Sequence, residues 1–440
     1  MDLTSMSTSA GDCMSMPSGF VHDYSEDMPR ALYVHIPFCA KRCQYCDFAT
    51  WATVRTDTLM ANYVDSLIHS LHQLASVGLL NSIQTVYLGG GTPSLLGEKL
   101  VHLVKEIGQL CAPVEFSCEA NPESFSQSLA QDLAACGVTR ISLGVQSLVD
   151  QELEALGRVH TAQTAVQALT FAKQAGLDVS ADLMCGIPLQ THQSWEYSIN
   201  QLLSCGVDHL SIYPLMIEEH TPFWKQYQNG LLALPDDDVQ AQMMCFAQDM
   251  LQQQGFSRYE VASYARPNKQ CQHNLAYWSG VSYLALGTSG SALLSKQAYK
   301  AFCELVPHMP QLDADISRVR YTISSTHKQV AAARCMVQLS YSLELLTDRQ
   351  AAAEDLMLAA RTSYGITPVL YARACAALGR LKLDAALNQA QHVGLLERWT
   401  YHQWTPTQQG WLLGNELYGL LWDLAQKPVA SVQVAGINNN

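Results

Sequence analysis

Apolar residues come first in short, nearly unbroken runs along this chain and later in spaced stripes, and that change of pattern predicts the architecture. Runs near residues 31 to 36, 85 to 90, 114 to 121, 140 to 147, 179 to 187 and 209 to 215 read as strands. Several are too continuously apolar for a sheet wetted on one face, which is the pattern of buried parallel strands. Helical periods lie between them. Leu59, Tyr63, Leu67, Leu71 and Leu74 recur every three or four residues and stop before Gly78. Leu129, Leu133 and Ala134 do the same before Gly137, and Ala165, Leu169 and Ala172 before Gly176. Strand, helix, strand at this pace means parallel crossovers. The predicted fold is α/β, a partial (β/α)6 barrel of the TIM-like kind, with its site at the carboxyl ends of the strands.

A further strand is expected over 259 to 264, followed by the turn-like cluster Arg266-Pro267-Asn268-Lys269. Beyond about residue 300 glycine punctuation thins and Ala/Leu-rich helical patterns take over, as at 330 to 346 and 371 to 393. A break at 404 to 410 precedes a last amphipathic helix over 411 to 424. The expected organisation is a disordered leader at 1 to 29, a barrel with its extension at 30 to 298, a mainly helical domain at 299 to 430, and a tail at 431 to 440. A chain of 440 residues suits one large domain and a smaller one.

Composition narrows the functional classes. The formal charge of -13 argues against a protein-wide electrostatic grip on nucleic acid. No run of about 18 uncharged apolar residues offers a membrane span, and a peripheral membrane contact stays open. The first 29 residues lack the basic start and apolar middle of a signal peptide. Fourteen cysteines scattered through a large chain without such a signal point to the reducing cytoplasm.

Three of those cysteines stand apart. Cys39, Cys43 and Cys46 are spaced C-x3-C-x2-C directly after the first predicted strand, beside Lys41 and Arg42. Structural zinc takes four protein ligands and a redox pair needs two, so three thiols in one loop predict a metal centre with one position open. Basic neighbours favour thiolates. The other strand ends carry polar residues that would face the same rim: Gly89-Gly90-Gly91-Thr92-Pro93, Glu119-Ala120-Asn121-Pro122, Gln146-Ser147 and Asp182. Glycines let backbone approach a ligand or make a tight turn, carboxylates accept bonds from hydroxyls or an amino group, and Arg158 can fork onto a carboxylate.

The cysteine loop, with Tyr45 before its third cysteine, resembles the radical S-adenosylmethionine (SAM) superfamily, and the glycine run in its GGGTP form resembles one branch of it. That branch is the coproporphyrinogen oxidase-like group, HemN and HemW, which the chain resembles from about residue 31 to 295 in YVHIPFC, YCDF, GGGTPS, EANPES, RISLGVQS, GRVH and DLMCGIP, in that order. The resemblance implies that Cys39, Cys43 and Cys46 hold a [4Fe-4S] cluster. It also implies that Tyr33, Tyr45, Gly90, Gly91, Thr92, Glu119, Gln146, Arg158 and Asp182 contact SAM.

Within the group, the resembled HemN oxidases carry a fourth cysteine where this chain has Asp47-Phe48, and the CDF form is similar to the HemW branch. His273-Asn274-Leu275-Ala276-Tyr277-Trp278 matches the HNxxYW motif associated there with haem, which implies His273 as an iron ligand with Tyr277 and Trp278 against the porphyrin. The implied function is haem binding and delivery to apo-haemoproteins, with an electron donor for the cluster. The alternative is oxygen-independent oxidation of coproporphyrinogen III to protoporphyrinogen IX. One departure concerns the segment Leu286-Gly287-Thr288-Ser289-Gly290-Ser291, where relatives have a GIGPGAHS-like stretch and its histidine is missing.

Overall fold

The computed structural model describes residues 28 to 400 and 402 to 437. Most of the expected leader and the last three residues of the tail lie outside the described residues. The six anticipated strands form where expected: β1 Ala31–Ile36, β2 Thr85–Gly90, β3 Glu115–Ala120, β4 Arg140–Gln146, β5 Asp178–Cys185 and β6 His209–Pro214. They pair in parallel in that order. The crossover helices carry the predicted stripes. Helix Thr58–Ser76, capped by the Asp57 carboxylate on Leu59 N, buries Tyr63, Leu67, Leu71 and Leu74. Outward-facing Ile141, Leu143, Val179, Ala181, Leu210 and Ile212 are wholly buried among these helices.

The strand expected over 259 to 264 is shorter and split. β7 Ser257–Arg258 and β8 Ser263–Ala265 add antiparallel strands beyond β6. The larger correction lies further on. β9 Tyr283–Leu286 pairs in parallel with β1, and β10 Ser291–Ser295, β11 Ile316–Ile323, β12 Tyr341–Thr347 and β13 Ala430–Val434 follow antiparallel. The described residues thus make one thirteen-stranded sheet, order β13-β12-β11-β10-β9-β1-β2-β3-β4-β5-β6-β8-β7, which runs through the boundary expected at 298.

The segment 330 to 346, read as a helix, holds only the short helix His327–Ala332, a 3-10 turn and then β12. Its Leu and Ala content suits a helix, but Tyr341, Ser342, Leu343 and Glu344 alternate buried and half-buried, the period of a strand. Residues 431 to 434 of the expected tail likewise belong to the edge strand Ala430–Val434 on β12. The helices of this region group later, from Asp348 on. Helices Asp348–Ala359, Pro368–Leu378, Arg380–His392 and Gly414–Trp422 share a separate core that includes Leu356, Leu370, Leu387 and Leu417. Among the described residues no helix is long and apolar enough to cross a membrane.

A single buried hydroxyl ties the sheet extension to the barrel. Tyr63 OH donates to His35 O at 3.0 Å and accepts from Thr288 N at 2.9 Å. Removing it leaves two buried backbone groups unsatisfied, each costing about 1–3 kcal/mol. Tyr63→Phe is therefore expected to lose about 2 kcal/mol or more in urea unfolding, and a loss under about 0.5 kcal/mol would show that the bond carries little.

Candidate functional site

The thiol loop leaves the end of β1 and is pinned at both ends. Phe38–Cys39 runs parallel to Trp51–Ala52, Trp51 N donates to Pro37 O at 2.7 Å, and Thr53 N donates to Cys39 O at 2.8 Å. His35 donates through Nε2 to Ala49 O at 3.0 Å and accepts the Tyr33 hydroxyl on Nδ1 at 2.9 Å. A carbonyl only accepts, so the neutral ring has one consistent tautomer. Halfway along, Gln44 N donates to Leu156 O and Phe223 N donates to Gln44 O.

The sulfurs are addressed by donors. Thr92 Oγ1 donates to Cys39 Sγ at 3.4 Å and Arg158 Nη1 to Cys43 Sγ at 3.5 Å. Burial pushes the Cys39 thiol up to about 11, with Cys46 and Cys43 adding to the rise against the Thr92 bond. Burial also raises Cys46. Among the described residues no group of three His, Cys, Asp or Glu side chains is arranged to hold a single metal ion. An iron–sulfur cluster makes a different demand, a thiolate on each of several irons.

The loop roofs a cavity of about 330 Å³ at the carboxyl ends of the strands. Of the residues singled out by sequence, Cys39, Cys43, Cys46, Tyr45, Gly90, Gly91, Glu119, Gln146, Arg158 and Asp182 line it. Tyr33 and Thr92 are not among its lining residues. The Tyr33 hydroxyl is spent on His35, and buried Thr92 joins Cys39 to Asn121, whose Nδ2 donates to Thr92 Oγ1 at 2.9 Å.

The glycines answer to the protein as much as to any ligand. Gly90 has φ 109°, and a Cβ there would stand 2.3 Å from the His35 ring. A Cβ on Gly91 would stand 2.8 Å from Ile36 O. Gln146 has φ 66° beside a bulge in the β4–β5 pairing. A left-handed non-glycine residue costs about 1–3 kcal/mol, and such strain clusters at functional sites.

Two buried carboxylates dominate the electrostatics. Glu119 accepts from Tyr87 OH and from Gly90 N, both at 2.9 Å. Loss of solvation lifts it to about 7, Gly90 N opposing and Asp182 adding. Asp182 accepts from Ser142 Oγ at 3.1 Å, and burial lifts it to about 6 against the bonds from Ser211 and Ser142. Arg158 Nη2 donates to Asn121 Oδ1 and Gly144 O, both at 2.8 Å, while its buried Nε has no partner among the described residues. Burial opposes its charge, but Tyr45, Cys43 and Glu123 together hold the guanidinium above its ordinary value.

His273, Tyr277 and Trp278 lie at the opposite end, on the helix Gln272–Ser279 that closes the barrel floor. Glu115, first residue of β3, accepts from Gln272 N and His273 N, both at 2.9 Å, and so caps that helix. His273 is 1 % exposed, its Nδ1 is 3.0 Å from Thr85 Oγ1, and its buried Nε2 has no partner among the described residues. Desolvation lowers it to about 3, so the ring is neutral. Trp278 faces the Arg361 guanidinium of the helical unit.

Asn121, already marked at the rim by its place after β3, lines the cavity, whereas Ser142, Met184, Tyr213 and Met216 were not singled out as site residues. Ser142 was signalled only by being polar inside an apolar run. The segment with the missing histidine does not line the cavity. Its Gly287, at φ 87°, lies where a Cβ would be 2.4 Å from His35 O.

The sequence profile of the radical SAM superfamily matches residues 33 to 202. The heme chaperone HemW of Bacillus subtilis (strain 168) is 30% identical over 407 residues, which is 89% of this chain and 98% of that protein. The heme chaperone HemW of Synechocystis is 37% identical over 281 residues, 62% of this chain and 68% of its own. Among solved structures, coproporphyrinogen III oxidase (HemN) from Escherichia coli superposes with a TM-score of 0.69 at 20% identity over 92% of both chains, a likeness of fold.

The carboxylate energetics can be read directly. A free glutamate ionises near 4.5, whereas Glu119 does so at about 7, so folding opposes its ionisation. Its cost is absent below the lower value, grows as pH rises through this window and is constant above it. Glu119→Gln is expected to gain on wild type by on the order of 2 to 3 kcal/mol between pH 4 and pH 8 in urea unfolding without SAM. An equal difference at both pH values would contradict the buried carboxylate.

Proposed function

This chain belongs to the HemN/HemW family of radical SAM proteins, and from that membership we propose that it is a cytoplasmic haem chaperone of the HemW type, binding haem and passing it to apo-haemoproteins. The observation that carries the reading is the likeness, along nearly the whole chain, to a relative named for that task. The thiol loop agrees with it: Phe48, 64 % exposed, stands where a fourth thiol would be.

We assign Cys39, Cys43 and Cys46 to a [4Fe-4S] cluster and the cavity beneath them to SAM. The donor set fits, for Cys39, Cys43, Cys46 and Arg158 line one space, with Arg158 Nη1 donating to Cys43 Sγ. When bound, the cluster supplies the electron that cleaves SAM. The rest falls to the side chains. Arg158 and Thr92 donate to the sulfurs and offset their negative charge. Glu119 and Asp182 offer carboxylate oxygens to ligand hydroxyls or an amino group. Gln146 is aimed by its strained backbone, Tyr45 closes the wall, and Tyr33 and Thr92 act from behind by fixing His35 and Cys39.

Haem is cargo in this reading, and His273 is its proposed ligand. In the tautomer that carries its proton on Nδ1, toward Thr85 Oγ1, the neutral ring presents an Nε2 lone pair with no competing bond among the described residues. That atom is buried, so uptake requires the floor helix to lift, exposing Tyr277 and Trp278 with it.

Haem titrated into the reconstituted full-length protein is expected to give a stoichiometric Soret band that His273→Ala weakens, and the loaded protein should transfer haem to an apo-haemoprotein. Absence of transfer defeats the chaperone reading, and an unchanged band in His273→Ala defeats the ligand assignment alone. In an anaerobic assay with SAM, dithionite and coproporphyrinogen III, no turnover is expected. Sustained protoporphyrinogen formation would replace the chaperone with the oxidase.

A further inference from the structure

Below the cavity the barrel is not packed with apolar side chains. Alternate residues of a strand face the interior, and on β4, β5 and β6 these are Arg140 and Ser142, Ser180 and Asp182, His209 and Ser211. A barrel core is ordinarily filled by branched apolar residues. Here a second space of about 50 Å³ opens instead, sharing Glu119, Ser142, Asp182 and Tyr213 with the cavity above. The two form one shaft running down from the thiol loop.

Arg140 stands at its lower end, as the first residue of β4, and is 3 % exposed. Its Nη1 donates to Lys269 O at 3.0 Å, but its buried Nη2 has no hydrogen-bond partner among the described residues. A buried cationic donor left unsatisfied is costly, and Arg140 is among the residues that line this polar space. That space takes about two or three waters. The other walls are largely committed: Ser180 Oγ lies 2.8 Å from His209 Nδ1, and His209 Nε2 lies 2.8 Å from Tyr259 OH. Asp182 retains acceptor capacity beyond its bonds from Ser142 and Ser211.

We propose that the shaft is a buried hydration site in which water joins Arg140 to Asp182, making Arg140 a positioning residue that holds Asp182 ionised beneath the cavity. The charged and titratable groups facing Asp182 support this. Glu119 comes from β3, Arg140 from β4, Arg158 from the loop beyond β4, Tyr213 and His209 from β6, Tyr87 from β2, and Cys271 from the floor. Burial keeps His209 neutral and both tyrosines protonated. Arg140 and Arg158 both favour the ionised form of Asp182, while Glu115 and Cys271 act on Arg140 from the floor side.

The test is an infrared titration of full-length protein labelled with ¹³C-aspartate, the Asp182 band being identified by its loss in Asp182→Asn. Arg140→Gln is expected to raise the midpoint of that band by about one pH unit or more, and Arg140→Lys to restore most of it. An unmoved midpoint in a folded Arg140→Gln overturns the proposal. Should that variant not fold, high-resolution diffraction of the wild type decides: ordered water in contact with Arg140 Nη2 is expected, and a dry shaft defeats the idea. Neither readout requires SAM to bind.

Discussion

The imidazole of His35 holds the thiol loop at its working height. One nitrogen donates to Ala49 O at the loop's far end, the other accepts from Tyr33, and the ring occupies the space that a side chain on residue 90 would need. The carbonyl of the same residue receives Tyr63 OH and lies against Gly287. First strand, cysteine loop, glycine turn and sheet extension therefore converge on one residue. The glycines at 90 and 287 are demanded by that convergence, since any Cβ there would enter the ring or the carbonyl.

The same alternation that builds the sheet separates two environments. Outward residues of β4 to β6 make a dry layer against the helices, while inward ones make a polar lumen. Placing Glu119 and Asp182 in that lumen costs solvation, which is why both titrate close to neutrality. Their oxygens are bound by Gly90 N, Tyr87 and Ser142, so the orientation is fixed before any ligand arrives.

The parallel strands were legible because runs buried on both faces leave a continuous apolar signal, and the thiol loop because its spacing is distinctive. β12 was not, since Leu343 and Leu345 suit a helix as well as a strand until a partner strand is known. Short-range sequence also cannot show that Gln146 is left-handed, that Tyr33 spends its hydroxyl on His35, or that His273 faces the barrel floor. Each of these depends on residues brought together from distant parts of the chain. The serines and Arg140 inside apolar runs did carry a signal of period two, which hydrophobic averaging conceals.

The long closure between β1 and β9 has a consequence for the order in which the molecule is made. β1 to β6 pair mostly with sequence neighbours, but β1 meets β9 only across about two hundred and fifty residues, and contacts of such separation form late. The Trp51 ring gains its neighbour His327, and Tyr63 its partner Thr288, only after most of the chain has left the ribosome. The nascent barrel thus exists for a time with its thiol loop already pinned by local bonds but with Trp51 and Tyr63 still lacking these late partners.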